Sequence, residues 1–92
     1  MELKTKTFCL GRTVATPNAP SRLDPADVLN SLARRAACDW GDCGPEDAAQ
    51  NELALDRPRC LFSVYRDRHG TRFGIITQAD RRATTVLLPE DY

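Results

Sequence analysis

The hydrophobic period of this 92-residue chain changes in its last third, across Pro58. Between Asp24 and Leu55 apolar side chains recur three and four residues apart, the spacing that gathers them on one face of a helix. Between Cys60 and Leu88 they alternate and are largely β-branched or aromatic, the habit of half-buried strands. No single element satisfies both periods, so the chain is held to an α+β class, with helices ahead of the strands they cover. At this length about 60–65 per cent of the unfolded surface is buried, which suits one small domain over residues 1–92 and leaves little room for a deep active site.

Start and stop signals place the elements. Residues 7–15 (TFCLGRTVA) read as a first strand, interrupted at Gly11. Thr16-Pro17 reads as an N-cap with proline in the first turn, and Pro20 limits that helix to a single turn. Asp24-Pro25 repeats the signal, and Leu29, Leu32, Ala33 and Ala36, with Val28 beside them, predict a helix of about 13 residues ending near Ala37. Gly44-Pro45-Glu46-Asp47 opens a second helix, with Ala49 and Leu53 facing one way and Ala48, Glu52 and Leu55 alongside; it ends before Pro58. Residues 60–66 and 71–77 flank Asp67-Arg68-His69-Gly70, a hairpin with a type I turn and a bulge. Residues 78–80 turn again, and 83–88 form the last strand, closed by Pro89. The expected architecture is an N-terminal strand, two helices and a three-stranded antiparallel meander with the helices on one face.

Period two divides the meander. Phe62, Val64, Phe73, Ile75, Val86 and Leu88 are assigned to the helix side. Leu61, Ser63, Tyr65, Arg72, Gly74, Ile76, Thr85 and Leu87 are assigned to the other. The second set is too apolar for a fully solvated face, so either another element covers it or it binds something.

Thirteen basic and thirteen acidic side chains cancel, which argues against a general nucleic-acid binder and against an acidic DNA mimic. The charges are nevertheless sorted. Residues 39–56 hold six acids and no base, whereas residues 57–82 hold seven arginines against Asp67 and Asp80. Sorted charge is either internal complementarity, worth little per pair, or a bipolar surface that orients a partner or a second copy. Cys9, Cys38, Cys43 and Cys60 show no paired zinc spacing, and the start shows no apolar export signal. Free thiols in a cytoplasmic protein are therefore expected, with no metal, no cofactor and no membrane span. His69, before Gly70, reads as a turn residue.

The stretches GRTVATPNA, DWGDC with PEDAAQN and LAL, LFSVY, and ITQADRRATTVLLPEDY resemble a family of short proteins carried on bacterial plasmids, integrative elements and prophages, usually labelled plasmid-related or hypothetical. The resemblance runs from about Leu10 to the C-terminus and is most specific in the last twenty residues. It implies a mobile-element accessory protein in a bacterial cytoplasm and carries no settled activity. In the family an aromatic often stands where this chain has Gly74, which implies an outward sheet face without its anchor there.

Three functions are compatible with these features. The first is a non-enzymatic protein–protein interaction module acting on a host or defence protein, of an anti-restriction or anti-CRISPR kind, or one that self-associates. Its candidate residues are Asp39, Trp40, Asp42, Glu46 and Asp47 in the acidic stretch, and Tyr65, Arg66, Arg72, Ile76, Arg81 and Arg82 beyond it. Trp40 is either a hot spot or a plug between the helices. The second is a toxin similar in element order to RelE and ParE, with Arg66, Arg68, Arg72, Arg81 and Arg82 for phosphates and His69 or Tyr92 for proton transfer; zero net charge and the position of His69 count against it. The third is an antitoxin-like regulator, for which the 24–37 helix offers only Arg34 and Arg35, so direct reading of DNA is not expected.

Overall fold

The computed structural model describes residues 10–55 and 59–92. Strand β1 (Arg12–Ala15) is followed by a one-turn helix α1 (Ala19–Arg22) and helices α2 (Pro25–Ala36) and α3 (Pro45–Ala54). Strands β2 (Leu61–Arg66), β3 (Arg72–Thr77) and β4 (Ala83–Leu87) come next, with a 3-10 turn at Pro89–Asp91. The class is α+β. The meander extends into a four-stranded mixed sheet of order β1-β4-β3-β2, because β1 lies parallel to β4. No helix among the described residues is long and apolar enough to cross a membrane.

Asp24 caps α2 as its residue type dictates, its carboxylate accepting from the amides of Ala26 and Asp27 at 3.0 and 3.3 Å. The Thr16-Pro17 signal fails. α1 starts at Ala19 after Asn18, and Thr16 Oγ1 is buried with no hydrogen-bond partner. Of the first strand predicted from Thr7, the part up to Cys9 lies outside the described residues, and Arg12–Ala15 is strand.

One face of the sheet carries the main core: Tyr65, Phe73, Ile75, Val86 and Leu88 pack against Ala19, Leu23 and Leu32. A second cluster of Trp40, Ala54 and Leu61 sits where α3 meets β2. Three expectations about faces are corrected. On β2 the inward residues are Leu61, Ser63 and Tyr65, so Phe62 and Val64 point away from the helices. The cause is Gly70, at φ +81°. Asp67 pairs with Thr71 (N to O, 3.1 Å) around a three-residue loop, so Arg66 pairs with Arg72; a four-residue loop pairs it with Thr71. One residue of slip exchanges the faces of a strand. On α2 the buried residues are Ser31, Leu32 and Arg35, with Val28 packed beside them, while Leu29 is 68 per cent exposed. On α3 the buried residues are Asn51 and Ala54, leaving Ala49 and Leu53 exposed.

Both rotations bring a polar group to a fixed backbone target. Arg35, fully buried, donates to Ser63 Oγ, to Thr77 Oγ1 at 2.9 and 3.1 Å and to the Leu61 carbonyl at 2.6 Å. Asn51 Nδ2 donates to the Phe62 carbonyl at 2.6 Å, and the Phe62 amide donates back to Oδ1 at 3.1 Å.

Candidate binding surface

With the helices on one side, the other side of the sheet is assembled from alternate strand residues. Register places Phe62, Val64 and Arg66 of β2 beside Ile76, Gly74 and Arg72 of β3. Ile76 and Gly74 neighbour Thr85 and Leu87 of β4, and Arg12 and Val14 of β1 flank Ala83 and Thr85. The middle of this face is apolar, and every charged residue at its strand positions is an arginine: Arg12, Arg66 and Arg72. Arg66 and Arg72 stand directly opposite one another, a juxtaposition of like charge that the Asp42 carboxylate, 3.2 Å from Arg66 Nε, partly offsets.

Tyr92 completes the face. Its ring meets Phe62 edge-on at 5.3 Å between centroids, and a Cβ on Gly74 would lie 2.9 Å from its Cε1. Gly74 thus opens the space in which the C-terminal aromatic lies. The Tyr92 hydroxyl is pushed up from its ordinary pKa chiefly by burial, which the charge of Arg72 partly offsets. The residue as a whole remains 58 per cent exposed. A notch of about 220 Å³ beside Phe62 is lined by Asp47, Gln50, Asn51 and Cys60.

The structure brings together Arg66, Arg72 and Ile76 of the residues singled out in the sequence. Asp42 joins them through its ion pair with Arg66 at 3.2 Å. Glu46 and Asp47 are exposed in the first turn of α3, and Asp47 lines the notch beside Phe62. Tyr65 is corrected to the interior, at 1 per cent exposure, and Trp40, at 7 per cent, takes the second of its two readings, a buried plug. Trp40 packs with Ala54 and Leu61 and donates to Glu52 Oε2 at 3.3 Å, and the Tyr65 hydroxyl donates to the Asp39 carbonyl at 2.7 Å. Asp39 pairs with Arg34 at 2.8 Å; the hydrogen bond from that guanidinium, with one from the Gly41 amide, holds its carboxyl below the ordinary range. Arg81, in a left-handed conformation, spends its guanidinium on the carbonyls of Ala54, Arg59, Gln78 and Ala79, fastening the end of α3 to the β3–β4 turn. Arg82 is exposed beside Asp80, whose carboxylate takes the Arg82 amide at 3.0 Å.

Phe62 and Arg12 belong to this surface and were not among the residues singled out, and Tyr92 was named only as a proton-transfer candidate. Their signal is parity: once Arg66 is paired with Arg72, Phe62 must share the face of Ile76. Cys38 and Cys43 pack against the Trp40 cluster, where burial pushes the Cys43 thiol up, and Cys60 is exposed. Among the described residues no three of the His, Cys, Asp and Glu side chains are grouped to hold a metal ion. His69 is exposed in the hairpin turn, its amide donating to Asp67 Oδ1 at 2.9 Å. No family model, curated protein or solved structure matches the chain.

Proposed function

We propose that this chain is a non-enzymatic protein–protein interaction module, and that the sheet face away from the helices is the surface it presents. The observation that carries the reading is the composition of that face: a centre of Phe62, Val64, Ile76 and Tyr92 framed by Arg12, Arg66 and Arg72. An apolar core with a charged rim is the anatomy of a protein interface, and arginine in the rim selects carboxylates through paired donors. The partner is therefore an acidic protein surface. The resemblance to mobile-element proteins makes a host or defence protein in a bacterial cytoplasm the partner class, with counter-defence as the role.

The test is affinity capture of the tagged chain from bacterial lysate with nuclease present. A protein retained by the native chain and lost from Arg66→Glu/Arg72→Glu, with circular dichroism and melting unchanged, supports the reading. Retention of the same protein by the double variant overturns the surface, and material that disappears with nuclease overturns the partner class.

A further inference from the structure

The two edges of the sheet are treated differently. On β2 the outward backbone groups are taken up within the chain: Asn51 pairs with Phe62, and the Asp42 amide donates to the Val64 carbonyl at 2.7 Å. On β1, the opposite edge, no described residue does this. Arg12 and Thr16 donate their amides to β4, so the alternation of the strand directs the amides and carbonyls of Thr13 and Ala15 outward. Beside this edge, on the helix side, lies an apolar slot of about 380 Å³ walled by Ala15, Ala19, Leu23, Val28, Leu29 and Val86, and among the described residues none that lines it is charged. It lies where the inward side chains of a fifth strand belong.

We infer that β1 pairs antiparallel with β1 of a second copy of this chain, about a two-fold axis through Val14. That register satisfies the open edge with the chain's own residues. Thr13 faces Ala15 of the copy and Ala15 faces its Thr13, each pair exchanging both backbone hydrogen bonds. Val14, 39 per cent exposed, meets its own counterpart in the close, non-hydrogen-bonded position. The same axis brings the two slots together and turns the two Leu29 side chains, 68 per cent exposed in the single chain, toward a common apolar seam. Charge permits it along the strand: Arg12, the charged residue of β1, stands opposite Thr16 of the copy, so like charges do not meet between the two β1 strands. A four-residue edge and one slot fall short of the roughly 20–30 residues a side of a standard interface, so the dimer is weak and concentration-dependent. The outcome is an eight-stranded sheet from two four-stranded halves.

Sedimentation equilibrium of the full chain, from micromolar to near-millimolar concentration, tests this. The expected mass rises from 10.3 kDa toward twice that value. Thr13→Pro removes an amide that points away from β4, and Leu29→Glu puts a carboxylate in the seam; each is expected to hold the chain monomeric with native circular dichroism. Leu29→Glu alone decides the matter if the proline variant does not fold. A native chain that stays monomeric throughout, or a dimer that survives Leu29→Glu, overturns the inference. Monomer with the Thr13 and Ala15 amides protected from hydrogen exchange also overturns it, since another part of the same chain then holds the edge. Arg66→Glu/Arg72→Glu leaves the dimer intact, so this inference and the proposed function fail separately.

Discussion

Asn51 and Phe62 bond reciprocally, side-chain amide to backbone, at 2.6 and 3.1 Å, so a single helical side chain stands where a neighbouring strand would bind. An unpaired strand edge invites pairing with other chains, and here α3 closes it with both a donor and an acceptor. Asn51→Ala removes both bonds, leaving the Phe62 amide to water and its carbonyl with only the weak Cys43 thiol donor at 3.6 Å, at a half-buried site. The expected loss is about 1–3 kcal/mol. For a domain of this size each kcal/mol lowers the melting temperature by roughly 4–8 °C, and aggregation on heating should increase with the edge uncovered. Thermal melts with light scattering check both, and an unchanged melt would show that the edge needs no cover.

Asp67 holds the hairpin turn to the start of α2, accepting from the amides of Asp24, His69 and Thr71 at 3.1, 2.9 and 3.0 Å. Burial raises its pKa, but these amides outweigh it, and the carboxyl ends below its ordinary value. Asp27 is lowered too, chiefly by its hydrogen bonds from Arg68. A carboxyl whose folded pKa is depressed stabilises the fold fully above its unfolded value, about 4, and that contribution disappears as pH falls through the folded one. Stability should therefore be flat from pH 7 to about 5 and fall below about 4. Asp67→Asn should melt lower at pH 7 and show a shallower acid decline. An acid limb as steep as the native one in that variant would remove Asp67 from the account.

Local signals carried much of this architecture. Asp24-Pro25 and Gly44-Pro45 start α2 and α3, and the alternation of residues 61–66, 72–77 and 83–87 marks their strands. What the sequence left illegible depends on long-range events. The face of β2 turns on whether Gly70 adds a residue to the hairpin, and a one-residue slip moved Phe62 out and Tyr65 in. The rotation of α2 depends on Arg35, which charge alone assigns to solvent and which Ser63, Thr77 and Leu61 instead draw into the interior. Of the candidate surface, Arg66, Arg72 and Ile76 were legible because neighbouring charge and period agree. Tyr92 was not, since its role rests on a gap left at Gly74.

Gly41 and Gly74 should respond differently to alanine. Gly41 has φ +69°, and a Cβ there would lie 2.2 Å from the Val64 carbonyl oxygen and 2.6 Å from the Tyr65 ring. Neither obstacle can withdraw without opening the β2 edge, so Gly41→Ala should cost more than about 2 kcal/mol or abolish folding. At Gly74 the nearest atoms are the ring tips of two side chains, Tyr92 at 2.9 and 3.0 Å and Phe62 at 3.0 Å; the tyrosine, at the end of the chain, can swing away, and the Phe62 ring need give by only a few tenths of an ångström. Gly74→Ala should cost less than about 1 kcal/mol and displace the tyrosine ring. Chemical denaturation gives the order, and loss of nuclear Overhauser contacts between Phe62 and Tyr92 reports the displacement. Equal costs would contradict the packing described.

Arg35 offers the sharpest separation between charge and geometry. Burial pushes its guanidinium down to about 10, so it is charged in both folded and unfolded chains at neutral pH. Between about 10 and the higher unfolded value the native state sheds its proton first, so this group contributes stability that grows with pH there and contributes no pH dependence near 7. Arg35→Met removes the charge together with the donors. The hydroxyls can compensate, since Ser63 already bonds the Tyr65 hydroxyl and Thr77 the Thr84 hydroxyl, each at 2.9 Å. The main loss is then the charged donor to the Leu61 carbonyl, and about 1–3 kcal/mol is expected. Arg35→Lys keeps the charge but gathers its donors on one nitrogen, which cannot span Ser63, Thr77 and Leu61 together. The lysine variant should therefore be the less stable of the two, because a buried charge with fewer matched acceptors costs more than its removal. Urea unfolding midpoints at pH 7 decide it. A lysine variant as stable as the native chain would mean that positive charge alone is what this site requires.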